Sequence, residues 1–204
     1  LPPLAARSDY ASPLAVQKFA TLISLLCGKF LRVAPAIVAG LVGVDMKTQV
    51  ISKSPARTVQ LGKRLGAMMR GGEVLGLVGD LGTGKTTFVK GIAEGLGVSK
   101  EHPVNSPSFV LLREYQGRVP LYHFDAHRLT DRGDLLRLER EIGIEEYLFG
   151  NGVSVLEWAD RLETLLPKEY LRIAFQHSKE KERILLFQPK GKRYETLIRK
   201  MKVR

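Results

Sequence analysis

The sequence predicts an α/β sandwich in which a largely parallel central sheet is flanked by helices. Three observations lead there. A glycine-rich loop, Gly79-Asp80-Leu81-Gly82-Thr83-Gly84-Lys85-Thr86, separates an apolar run of strand length from a segment of helical spacing. Short β-branched runs alternate with longer charged segments, the order expected of strands joined by crossover helices. An apolar fraction of 44% in 204 residues is enough to build a real core.

In chain order, Lys47 to Ser52 alternates weakly and reads as a strand. Ser54-Pro55 then opens a helix, Ser54 as cap and Pro55 in the first turn. Val59, Leu61, Leu65 and Met68 or Met69 form its apolar side, and Gly71-Gly72 stops it. Glu73 to Val78 reads as a buried strand. Thr86 to Leu96 is the next helix, with Phe88, Val89, Ile92 and Leu96 on one side and Gly95 and Gly97 closing it.

Asn105-Ser106-Pro107-Ser108 is a polar turn feeding an extended run, Phe109 to Leu112. Val119 to Phe124 reads as a strand ending at Asp125. Asp131 to Tyr147 reads as a helix broken at Gly143, and Gly150-Asn151-Gly152 turns into a strand, Val153 to Trp158. Tyr170 to Phe175 and Arg183 to Phe187 read as a closing hairpin.

The loop fits G-x-x-x-x-G-K-[ST], which makes the sandwich P-loop NTPase-like and the protein a nucleotide binder. Its glycines let backbone N–H groups curl around an anion at the start of the following helix. Lys85 would reach the β- and γ-phosphates, and the Thr86 hydroxyl would complete the shell of a bridging Mg²⁺. Such a site needs acids at the carboxyl ends of neighbouring strands, where Glu157 and Asp125 stand. Their division of labour stays open at this point. Ser106-Pro107-Ser108 lies where a segment responding to the γ-phosphate belongs.

His123 and His127 flank Asp125, but a separate metal site there is the weaker reading, because the loop already calls for Mg²⁺. Trp158 reads as core packing rather than as an adenine stacker. Arg128 and Arg161 read equally as stabilisers of transition-state charge and as surface ion pairs.

The single cysteine, Cys27, excludes an internal disulfide and suits a reducing cytoplasm. The net charge is +11, and from Ser178 to Arg204 ten Lys and Arg face three Glu. That basic terminus reads equally as a contact for RNA phosphates or an acidic partner and as a solvated end. Residues 1–45 hold only two acids, Asp9 and Asp45, and Met46 is the first methionine. The expected organisation is therefore an extension over 1–45, an ATPase domain over 46–190 and a basic tail over 191–204. A mis-set start, a targeting segment and an N-terminal helical subdomain are the alternatives for the extension. The Phe19 to Gly43 run, interrupted by Lys29, Arg32 and Pro35, makes a poor membrane span.

Taken together, Gly79 to Thr87, Asn105-Ser106-Pro107-Ser108-Phe109, Tyr122-His123-Phe124-Asp125-Ala126-His127-Arg128-Leu129 and Glu157-Trp158 resemble the bacterial TsaE (YjeE) family. The resemblance covers about Met46 to Phe187. It departs at Ser108, where threonine is usual, at His127, where tyrosine is usual, and at Thr83, where alanine is usual. It implies a cytoplasmic ATPase of tRNA threonylcarbamoyladenosine biosynthesis, weak alone and stimulated by two partners, TsaB and TsaD, with tRNA in the assembly. The modified base would be the adenosine beside the anticodon in tRNAs reading codons that begin with A. By the same resemblance Gly82, Thr83, Gly84, Lys85, Thr86 and Thr87 cradle the phosphates of ATP. Thr86 and Glu157 hold Mg²⁺, Asp125 is a catalytic or switch acid, and Thr58 and Arg183 border the adenine. A small-molecule kinase is the first rival, although no compact Arg-rich lid is visible between Thr87 and Trp158. A non-catalytic RNA-binding protein, suggested by the basic terminus, is the second and would leave Lys85, Thr86 and Glu157 without a purpose. No guanine-specifying Asn-Lys-x-Asp is present for a GTPase.

Overall fold

The computed structural model describes residues 47–129, 132–179 and 182–202. The expectation for residues 1–45 lies outside them. The described strands are β1 (Thr48–Ser52), β2 (Val74–Val78), β3 (Leu112–Tyr115), β4 (Leu121–Asp125), β5 (Val153–Glu157), β6 (Tyr170–Lys179) and β7 (Glu182–Lys190). They form one mixed sheet in the order β1-β7-β6-β2-β5-β4-β3. The central strands β6, β2, β5 and β4 run parallel, as expected of strands joined by crossovers. The outer strands β7, β1 and β3 join antiparallel. Every residue of β2 and of β5 is buried; β2 is a continuous apolar run, whereas β5 also buries Ser154 and Glu157.

One face of the sheet is covered by α1 (Pro55–Met68) and α2 (Lys85–Leu96), which contribute Leu61, Leu65, Phe88 and Ile92 to the larger core. The other face is covered by α3 (Arg132–Arg137), α4 (Ile144–Leu148), the π-helical turn between them (Leu138–Ile142) and a 3₁₀ turn (Ala159–Leu162). Gly143, in the left-handed region at φ 65°, makes the helix break where it was expected. At the start of α1, the Ser54 side chain accepts the Arg57 N–H at 3.2 Å, and Pro55 fills the first turn.

α1 and α2 touch backbone to backbone. A Cβ at Gly62 or Gly66 would run into the carbonyls of Phe88 and Ile92, and one at Gly91 or Gly95 into those of Val59 and Lys63. This approach brings the start of α1 beside the glycine loop.

Two segments differ from the sequence reading. The extended run expected at 109–112 is a turn, in which the N–H groups of Val110 and Leu111 donate to the Pro107 carbonyl at 2.9 and 2.8 Å. Leu111 sits at φ 63°, and the strand begins only at Leu112. Phe109 is 83% exposed, so this apolar residue was misleading as a strand marker. The segment treated as a basic tail contains α5 (Lys192–Met201), whose Tyr194, Ile198 and Met201 are buried in the larger core. The Tyr194 hydroxyl accepts the buried N–H of Val74 at 2.8 Å, tying this helix to the first residue of β2. The apolar spacing 194, 197, 198, 201 is that of one helical side, hidden among six Lys and Arg between 192 and 204.

Candidate functional site

The parallel strands β2, β4 and β5 deliver their carboxyl ends to one edge of the sheet. The glycine loop leaves β2 there, and Asp125 and Glu157 are neighbours in the β4–β5 register. Adjacent strands lie about 4.8 Å apart, so the two acids stand side by side. Between them and the loop lies a cavity of about 340 Å³.

In the loop, Gly79, Gly82 and Gly84 have φ of 136°, 75° and 98°. Among the described residues nothing lies within 4 Å of where a Cβ on Gly82 would stand, so that cradle opens outward, and the left-handed backbone turns its N–H groups toward it. Thr83 faces the other way. Its side chain is buried and its hydroxyl donates to the Asp80 carbonyl at 2.7 Å. The Lys85 ammonium donates to the carbonyls of Gly79 and Asp80 at 2.6 and 2.9 Å and sits 4.1 Å from the centre of the Trp158 ring. Burial pulls its pKa below the ordinary 10.5, against the opposing pull of Glu157, Asp125, Asp160 and Asp80.

The two acids are held differently. Both carboxylate oxygens of Glu157 accept the Thr86 hydroxyl, at 2.8 and 3.0 Å, and His123 Nε2 lies 2.9 Å from Oε1. Asp125 Oδ2 accepts the hydroxyls of Ser106 and, at 3.2 Å, Ser108, while Oδ1 accepts the His127 N–H at 2.9 Å. Glu157 is thus gripped by a helix and a strand, and Asp125 by loops.

Of the expected site residues, Gly82, Gly84, Lys85, Thr86, Thr87, Asp125 and Glu157 line this cavity. Thr83, within the loop, does not, and neither do Thr58 and Arg183, although both adjoin the loop. Thr58 is buried and bonded to Ser52, with its methyl 4.0 Å from where a Gly84 Cβ would stand. Arg183 Nη2 reaches the Gly82 carbonyl at 3.5 Å. Trp158, read from sequence as core packing, is half-buried on the cavity wall at φ 59°, with the His127 ring 4.9 Å away. Arg161 makes no ion pair among the described residues. It donates to the carbonyls of Ala126, His127 and Leu129 and so fixes the loop after Asp125. Arg128 lies over the Phe109 ring at 4.1 Å.

His123 is the residue whose place at this site the sequence reading missed. It is fully buried, and its Nδ1 has no partner among the described residues. With Nδ1 in an apolar setting, Nε2 carries the hydrogen that Glu157 accepts. The available signal was period two, since His123 and Asp125 share a face of β4.

A hydroxyl and a carboxylate this close are the hard oxygen donors that suit Mg²⁺, which keeps several waters and needs few protein ligands. No three His, Cys, Asp or Glu cluster as a metal site among the described residues. An anion cradle at a helix start, a lysine beside it and two acids on adjacent strand ends define a P-loop NTPase-like protein.

Comparison with known proteins narrows the class. Residues 52–185, more than half of the chain, match the sequence model of TsaE, the threonylcarbamoyl adenosine biosynthesis protein. The Bacillus subtilis tRNA threonylcarbamoyladenosine biosynthesis protein TsaE is 43% identical over 145 residues, 71% of this chain and 87% of its own length. The Treponema pallidum protein of the same name is 40% identical over 126 residues, 62% of this chain and 89% of its own. The crystal structure of YdiB from Bacillus subtilis superimposes with a TM-score of 0.65 at 37% identity, covering 76% of this chain and 94% of that one. The chain belongs to the TsaE family.

Proposed function

We propose that this protein is a P-loop ATPase that acts in the threonylcarbamoyl modification of tRNA. Its relatives carry that pathway in their names. The observation that carries the ATPase reading is the meeting of Thr86 and Glu157 beside the open glycine cradle, with Asp125 adjacent. The loop N–H groups bind the β- and γ-phosphates, and Lys85 exchanges its bonds to the loop carbonyls for phosphate oxygens. Thr86 and Glu157 would hold Mg²⁺, which would supply positive charge against the negative charge of the phosphates. Asp125 orients the water that attacks the γ-phosphorus as the bond to the β–γ bridging oxygen breaks, giving ADP and phosphate. Ser106 and Ser108 link the position of that acid to their loop, so the presence of the γ-phosphate is felt by residues 105–111.

Likeness to the TsaE relatives supports TsaB and TsaD as the partners, the cytoplasm as the site of action, and the modified adenosine beside the anticodon as the product of the assembly. No helix among the described residues is long and apolar enough to cross a membrane.

The test is ATP hydrolysis by the full chain, alone and with TsaB and TsaD, beside Lys85→Ala. Activity that rises with the partners and falls by about 100-fold or more in the variant is expected, the cost of removing a preorganised charge. Turnover indifferent to the partners but driven by a small hydroxylated metabolite would make the protein a kinase instead.

A further inference from the structure

A second and larger cavity, of about 810 Å³, lies at the opposite end of β2 from the glycine loop. It opens between the end of α1, the Arg118 loop and α5. Five strand residues separate the two ends, roughly 16 Å. Among the described residues its wall carries Arg70, Arg118, Lys192, Arg193 and Lys200 against a single acid, Glu73.

That acid is already satisfied. Glu73 is buried and accepts the N–H groups of Arg70 and Gly71 together with the Arg193 guanidinium at 2.7 Å. Arg193 also donates to the carbonyls of Gly71 and Gly72, and Arg118 to that of Gly66. The side chains of Arg70, Lys192 and Lys200 have no partner among the described residues, and all three are exposed. Three unneutralised cations thus converge on one concavity, an arrangement that concentrates anions. Lys192 and Arg193 also open α5, whose first N–H groups add to the positive field.

We infer that this cavity binds the phosphodiester backbone of a nucleic-acid stem, at a site separate from the nucleotide cavity. Extent favours a polymer, because Lys192 and Lys200 stand at the two ends of α5, roughly 15 Å long, which is several phosphates of a duplex. Lining favours backbone over base or protein contact. Among the described residues no aromatic side chain faces the cavity, whereas unpaired bases stack on aromatics and protein partners anchor on them. Arginine and lysine without aromatic interleaving is the chemistry of sequence-independent phosphate contact. The choice of RNA as the source of that backbone rests on the function proposed above.

The experiment measures binding of a fluorescent RNA hairpin to the full chain across a salt series, for the native protein and for Arg70→Gln, Lys192→Gln and Lys200→Gln combined. These residues are exposed and remote from the glycine loop, so ATP hydrolysis should be unchanged. The triple variant should bind about tenfold or more weakly, and its slope of log affinity on log salt should fall by about two to three. No binding by the native chain at low salt, or a variant with unchanged affinity and slope, would overturn the assignment. So would polyglutamate bound as tightly as the hairpin, which would point to an acidic protein, or displacement by millimolar inorganic phosphate, which would point to a lone anion. A DNA hairpin bound equally well would overturn the choice of RNA. A Lys85→Ala chain that has lost hydrolysis but still binds the hairpin would separate this site from the ATPase reading.

Discussion

Glu157 and Asp125 occupy equivalent places on adjacent strands, yet their surroundings hold them differently. Glu157 is bonded to Thr86 on α2 and to His123 on β4, both within regular elements of the core. Asp125 is bonded to Ser106, Ser108 and the His127 N–H, all outside helices and strands. A carboxylate fixed by rigid elements suits a metal ligand, whose position must not move. One fixed by loop hydroxyls suits a switch, because those hydroxyls can leave with the loop. The difference teaches that equal strand positions do not imply equal roles. The partners decide.

Replacing each member of this pair should separate the roles. Glu157→Gln should have the largest effect, lowering ATP turnover by about 100-fold or more, and raising the Mg²⁺ concentration needed for the residual rate. Hydrogen exchange over residues 105–111 should stay as in the native chain. A Mg²⁺ dependence identical to the native one would remove Glu157 from the metal. Asp125→Asn should lower turnover by about tenfold to 100-fold, and it should also speed exchange in residues 105–111. Unchanged exchange there would sever Asp125 from the loop.

His123→Asn comes next. It leaves Glu157 with Thr86 but removes the strand-side support, so metal affinity should weaken by about tenfold, with little change in nucleotide affinity measured without metal. Equal weakening of both would mean that His123 acts only by supporting the fold.

The smallest effect concerns Lys85, which faces both acids. Burial lowers its pKa below 10.5 in the folded chain, so in the alkaline window beneath that value the unfolded chain binds more protons. Stability contributed by this group therefore rises with pH through that window. Denaturant melts at a series of alkaline pH values should show the native chain gaining on Lys85→Met. Parallel curves would argue against a buried, destabilised ammonium.

Much of this was legible in the chain because the signals were local. The glycine loop announces itself through residues whose backbone must be left-handed, as Gly82 and Gly84 are. The place of Glu157 at a strand end was legible because it closes the mostly apolar run Val153 to Leu156. The extended run expected at 109–112 failed because Phe109 and Val110 are apolar yet exposed, and hydrophobicity alone does not report burial. α5 was not legible because six Lys and Arg between 192 and 204 mask the apolar spacing of Tyr194, Leu197, Ile198 and Met201.

By itself, the sequence determined the phosphate loop, the order of strands and helices, and the acids at two strand ends. These follow from short-range rules of backbone conformation and periodicity, which act over a few residues. Only the tertiary structure decided that His123 supports Glu157, that Ser106 and Ser108 hold Asp125, and that five cations converge on one cavity. Those groups lie far apart along the chain, and nothing but the closing of the sheet brings them together.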